Sequence, residues 1–260
     1  MRPGIVAAMA AEARILAKGP IAAGELTHLP QDAMLLLSGI GANRARLAAE
    51  TLLENGATAL VSWGFAGGLD PGLSPGSLIL PESILATDQS IYYVDPVWHE
   101  SLGNQLKSHV DLHRGTLAES TVVLDSCAEK TALFHRTGAM AVDMESASIA
   151  LVAKEAGIAL MVIRAITDAA KMAIPRSAVN SIDEFGRVRL SRLLRCLARR
   201  PGELLALVRL GRNFRVAQAT LAAVALHARS NLLCPPGPAR MKAAGGGSMT
   251  LSVVTKGEES

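Results

Sequence analysis

The chain has 260 residues, half of them hydrophobic, 19% charged and only 3% aromatic, with a formal net charge of +3. That balance excludes a disordered polymer, allows a large core built from aliphatic side chains, and leaves too few rings for a surface that stacks single-stranded nucleic acid. Three cysteines, Cys127, Cys196 and Cys234, are odd in number and lack metal-ligand spacing, so neither a disulfide framework nor a zinc site is expected.

The opening MRPGIVAAMAAEA carries a short apolar run followed by Glu12, which reads as a strand rather than a signal peptide. No apolar run reaches the roughly 18 residues of a membrane-spanning helix. The expectation is a cytoplasmic protein in reducing surroundings. A strand at 4–9 leads into AAEARIL, where Glu12 opens a helical segment, and 19–32 shows no clear period, consistent with loops and a short strand. Residues 33–37 form a strand, Ser38-Gly39-Ile40-Gly41 a turn, and the following stretch a helix closed by Asn55-Gly56. A strand at 59–63 runs into a glycine-rich turn holding Gly64, Gly67 and Gly68, where a ligand can approach the main chain closely. Further on, strands are expected at 77–80, 115–117 and 122–124, and helices at 98–110 and 128–135. The six histidines have no triad or metal spacing and are read as surface or loop residues.

The stretch AMAVDMESASIALVAKEAGIALMVIRAITDA carries the most chemistry. A short strand meets Asp143-Met144-Glu145, a helix with an apolar stripe ends at Gly157, and a buried strand at 160–166 leads to Asp168. In an open parallel sheet, ligands bind beyond the carboxyl ends of the strands, so acids there can share a pocket. Each acid also has a plainer reading. Glu145 suits a helix start, Asp168 could cap a following helix, and Arg164 could be a structural ion-pair partner.

Strands alternating with helices predict an α/β fold, a three-layer α/β/α sandwich with a central mixed sheet, over residues 1–175. Past that point the composition changes. Between Arg187 and Arg229 there are ten arginines and a single acid, Glu203, with leucines at helical spacing. Residues 176–234 are therefore expected to be a basic, amphipathic helical extension, a pair of solvated helices or a surface that meets anionic membrane, and 235–260 has the composition of a disordered tail.

Five motifs, AAMAAEARIL, LLLSGIG, WGFAGGL, AVDMESASIA and VIRAITDAA, occur in order over about residues 1–172. Together they resemble the nucleoside phosphorylase and nucleosidase superfamily, in particular its 5'-methylthioadenosine/S-adenosylhomocysteine nucleosidase branch. The segment LSRLLRCLARRPGELLALVRL is similar to that of hopanoid-associated phosphorylases. The resemblance implies release of adenine from a 5'-substituted adenosine, adenosylhopane in the hopanoid case. It implies that Asp168 protonates the leaving base, Arg164 orients that region, Glu145 binds the ribose hydroxyls, Met144 packs on the sugar and Glu12 activates water. Ser38 and Gly39 would lie near the nucleophile, Gly64, Gly67 and Gly68 beside sugar and base, and Ser126 and Cys127 in the base-contacting segment, although the family's aromatic is absent at Cys127.

Two further departures bear on the substrate. Ala10 and Ala11 stand before Glu12 in place of acids, and the segment between Glu12 and Ala33 is short, which leaves room for a bulky 5'-group. An acid at Glu12 favours hydrolysis, whereas the tail resemblance favours phosphorolysis, with phosphate as co-substrate. No metal or organic cofactor and no nucleic-acid partner are implied; a homo-oligomer is. The competing readings are the general nucleosidase reaction and a purine-binding protein without turnover.

Overall fold

The computed structural model describes residues 2–17, 19 and 21–228. The tail expected at 235–260, Cys234 and Arg229 lie outside the described residues. The elements are β1 (Pro3–Ala7), α1 (Ala10–Leu16), β2 (Leu26–His28), β3 (Met34–Leu37), α2 (Ala42–Glu54), β4 (Ala59–Gly68), β5 (Leu78–Leu85), β6 (Ile91–Tyr93), α3 (Pro96–Leu106), β7 (Leu112–Glu119), α4 (Cys127–Thr137), β8 (Ala141–Asp143), α5 (Ser146–Ala156), β9 (Ala159–Asp168), α6 (Arg176–Val179), α7 (Leu190–Arg199) and α8 (Leu204–His227).

Alternation along the strands sorts side chains into two layers. Ile5, Ala7, Leu35, Leu37, Val61, Trp63, Met161 and Ile163 face α1, α3 and α8. Val6, Met34, Leu36, Leu60, Leu160 and Val162 face α2 and α5. Helices thus cover both faces of a mixed sheet, as the alternation of elements predicts. β9 is buried along nearly its whole length, which accounts for its unbroken apolar run. α5 ends at Gly157, whose φ of 66° is the left-handed turn that glycine adopts without strain.

The sheet also curls. The order β2-β3-β1-β4-β8-β7-β5-β6 is joined by β9, which pairs with both β4 and β5. The strands β4, β9, β5, β7 and β8 therefore close into a ring, with antiparallel pairing at β5–β9 and β4–β8. Short-range periodicity carries no information about such closure.

Three local expectations differ from the structure. The turn expected at 64–69 is instead the second half of β4, because Gly64 to Gly68 pair with β8 and β9. Residues 122–124 form no strand; the chain leaves the sheet after β7 in a turn where Ser120 Oγ donates to the Val122 carbonyl at 2.7 Å. His99 is buried on the core face of α3, with Nε2 3.0 Å from the Leu80 carbonyl oxygen.

The arginine-rich segment divides physically. α7 buries no residue, whereas α8 sends Ala217, Leu221 and Val224 into the same core as β1 and β4. One amphipathic helix thus stays at the surface while the other completes a layer. Among the described residues no helix is long and apolar enough to cross a membrane.

Candidate active site

A cavity of about 470 Å³ opens at the ends of β4, β8 and β9 and is lined by Glu12, Phe65, Gly67, Lys130, Asp143, Met144, Glu145 and Asp168, with apolar residues of the 174–214 region beyond. Its size falls within the usual range for small-molecule sites, about 300–1,000 Å³.

Glu12 comes from the first turn of α1 and is 3% exposed. Its carboxylate accepts from the backbone N–H of Met9 at 2.7 Å and of Phe65 at 2.9 Å. Burial pushes its pKa up, against the opposing pull of Arg164 and these backbone donors. The approach is possible because residue 64 is glycine: a Cβ there would sit 2.6 Å from Glu12 Cδ and 2.7 Å from Arg164 Nη1. Gly64 thus supports the site from behind rather than lining the cavity.

Arg164, on β9, is held rather than free. Its Nη2 lies 2.7 Å from Asp143 Oδ2, and Nη2 also donates to Ser62 Oγ at 2.6 Å and Ser146 Oγ at 3.0 Å. Burial works against its charge, but Asp143, Glu12 and Glu145 outweigh that cost. Asp143 is the partner that keeps the guanidinium in place, a role that the acidic pair in the sequence did not distinguish from that of Glu145.

Glu145 precedes α5 and turns back across the cavity floor to accept from the Gly41 N–H at 2.8 Å, at the start of α2. Burial and the neighbouring charge of Asp143 push its pKa up to about 7. Met144 lines the cavity beside it.

Asp168, the last residue of β9, is 4% exposed. Thr167 Oγ1 donates to its Oδ1 at 2.6 Å, and Lys130 Nζ forms a buried ion pair with Oδ2. Burial raises the Asp168 pKa and Lys130 opposes the rise. The sequence reading missed Lys130. The available signal was its place three residues before Leu133, which puts both on the buried face of α4.

The remaining predicted positions differ in where they lie. Ser38 and Gly39 do not line the cavity, whereas the next residue, Ile40, does and donates its N–H to the Glu184 carbonyl at 2.7 Å. Gly67 lines the cavity and Gly68 packs against the Asp168 backbone. Ser126 and Cys127 do not line it, because Ser126 caps α4, accepting from the Glu129 N–H at 3.2 Å and donating to Glu129 Oε2 at 2.8 Å.

α7 and α8 reach the site through Leu193, Leu207, Leu210 and Phe214, and the Phe214 ring lies 4.6 Å from that of Phe65. The cavity therefore has a polar floor and an apolar outer wall built by the arginine-rich segment. Among the described residues, no cluster of three or more His, Cys, Asp and Glu is arranged to hold a metal ion.

Residues 5–199 match the Phosphorylase superfamily. A 5'-methylthioadenosine/S-adenosylhomocysteine nucleosidase of Buchnera aphidicola is 26% identical over 171 residues, 58% of this chain, and the chain spans 65% of that relative's length. The solved nucleosidase of the same description from Helicobacter pylori is 18% identical, with a TM-score of 0.65 over 89% of this chain and 97% of its own. A futalosine hydrolase mutant of Helicobacter pylori has a TM-score of 0.55 at 21% identity, over 64% of this chain and 88% of its own. The shared fold thus accommodates enzymes named for different substrates.

Proposed function

As a member of the Phosphorylase superfamily, the chain is, we propose, an enzyme that cleaves the N-glycosidic bond of a 5'-substituted adenosine by hydrolysis and releases adenine. The observation that carries this reading is the convergence on one cavity of three buried acids from separate elements, Glu12, Glu145 and Asp168, each with a raised pKa. A carboxyl group kept protonated by burial is suited to give a proton to a departing base. In this reading Asp168 is that acid, Glu145 holds the ribose hydroxyls with Met144 against the sugar, and Glu12, fixed by two backbone donors and facing Arg164, takes the proton of the attacking water.

Electrostatics favour water over phosphate as the nucleophile. The cavity floor holds Glu12, Asp143, Glu145 and Asp168, while the lining cation Lys130 is already paired with Asp168, and Arg164, which does not line the cavity, is paired with Asp143. The Gly41 N–H at the α2 N-terminus, a natural anion donor, is occupied by Glu145. No metal or organic cofactor is required for these steps.

The finer proposal concerns the 5'-group. The outer wall is formed by Val179, Ile182, Val188, Leu193, Leu207 and Leu210, which suits a long apolar substituent such as that of adenosylhopane better than a polar one. α7 is amphipathic, with exposed Leu190 and Leu194 on one side and exposed Arg192, Arg195 and Arg199 on the other, a pattern that fits anionic lipid and would bring a lipid-linked nucleoside to the cavity. Self-association into a homo-oligomer is part of the same proposal and rests on the family resemblance.

The test is incubation with 5'-methylthioadenosine and with 5'-alkyladenosines of increasing chain length, with and without phosphate, measuring adenine and the sugar product. Adenine release without phosphate, free sugar as product and kcat/KM rising with alkyl length are expected. Strict dependence on phosphate with a sugar 1-phosphate product refutes hydrolysis, and highest activity on the methylthio compound returns the general nucleosidase reading.

A further inference from the structure

We propose that Lys130 is a positioning residue that sets the acid strength of Asp168, so that the cavity wall carries a lysine–carboxyl pair where a lone carboxyl group would suffice to hold a proton. The inference rests on the reading of Asp168 as the acid. Its basis is geometric. Lys130 is fully buried on α4, its Nζ pairs with Asp168 Oδ2, and the same nitrogen donates to the Met172 carbonyl at 2.8 Å and the Ala169 carbonyl at 3.3 Å. Three acceptors match the three protons of an ammonium group, so the cation is caged at one point. Asp168 is fixed from the other side by Thr167.

A buried ion pair is a poor device for stability, since an apolar pair of the same volume usually does as well or better. Its retention at the cavity wall calls for another role, and the reaction supplies one. The C1'–N9 bond breaks with its electron pair moving to the purine, the proton on Asp168 passes to an imidazole nitrogen of the base, and water adds to C1' with its proton going to Glu12. Asp168 finishes as a carboxylate beside Lys130. The cation therefore stabilises the charge that develops on Asp168 as the proton leaves, and lowers the pH at which the free enzyme loses that proton. Of the other charged groups of the site, Arg164 is paired with Asp143, Glu145 accepts from the Gly41 N–H and Glu12 from the Met9 and Phe65 N–H groups, and their electrostatic effects fall on one another. Among the described residues, Lys130 is the charged group that acts directly on Asp168.

The test is Lys130→Met, which keeps the stem volume and removes the charge. The basic limb of the kcat/KM profile reports the acid of the free enzyme. It should move up by about 1–3 pH units, the usual effect of losing an opposite charge at this range, while the plateau falls. The limb position does not depend on how much of the variant folds. Titration of the Asp168 carboxyl carbon in protein labelled with 13C-aspartate, identified by its loss in Asp168→Asn, reads the same shift without substrate. A lower plateau with an unmoved limb and an unmoved carboxyl titration makes Lys130 a prop for the 169–172 turn and overturns the inference. In an Asp168→Asn background, Lys130→Met should cost nothing further. Full activity of Asp168→Asn alone would instead remove Asp168 as the acid, a failure of the underlying reading that is separately visible.

Discussion

Replacing Glu145 by Gln should make the protein more stable at neutral pH and less active. Glu145 is buried, lies beside the like charge of Asp143, and has its pKa raised from 4.5 to about 7. In the unfolded chain the carboxyl loses its proton near its ordinary value, whereas the folded protein holds it until about pH 7. Between these values the folded state binds more protons, so this group makes stability fall as pH rises through that window and level off above it. The interval from 4.5 to about 7, at about 1.4 kcal/mol per pH unit, corresponds to about 3 kcal/mol lost by pH 8. Glutamine keeps an acceptor for the Gly41 N–H and carries no charge, so the variant escapes that loss. Urea midpoints of both proteins from pH 5 to pH 8 measure it. The gap should be small at pH 5 and approach about 3 kcal/mol at pH 8, with adenine release strongly reduced throughout. A gap of constant size across the range, or a wild-type protein that is the more stable at pH 8, refutes the account of Glu145 as a carboxylate held at a cost.

Other expectations follow from the same geometry. Arg164→Met leaves Asp143 buried without its cation and should destabilise the fold by about 3–5 kcal/mol in chemical denaturation, with Asp143→Asn in the same chain recovering much of that loss. Gly64→Ala should fold but push Glu12 and Arg164 aside, lowering kcat on the order of 100-fold, since displacements near 1 Å have that effect on reacting groups; unchanged turnover would separate Glu12 from the chemistry. Exchanging Leu190 and Leu194 for Ser on the exposed face of α7 should reduce co-sedimentation with anionic vesicles while leaving turnover of a water-soluble nucleoside unaltered; equal sedimentation of both proteins would exclude α7 as the lipid contact.

Much of the site was legible because its acids sit at boundaries that local pattern reveals. Glu12 follows a strand and opens a helix, Glu145 precedes an apolar stripe, and Asp168 ends a run buried on both faces. The order of five motifs joined them to one family. What stayed hidden were partners chosen across the fold. Asp143 and Arg164 are 21 positions apart, and Lys130 and Asp168 are 38 apart. Periodicity within an element says which face a side chain occupies, but not which distant charge meets it there. The glycine pattern at 64–68 misled for a related reason. Glycine permits a turn, yet here its missing side chain makes room for Glu12 and Arg164 beside a continuing strand.

The sequence by itself determined the alternation of strands and helices, the superfamily motifs and the basic character of the segment after residue 175, because each is written in neighbouring residues. Only the tertiary structure decided that the strands close into a ring, that α8 joins the core while α7 stays at the surface, and that α7 and α8 together wall the cavity. Those outcomes depend on which apolar faces find each other once the chain is compact, and burial is a property of the whole assembly rather than of any stretch of it.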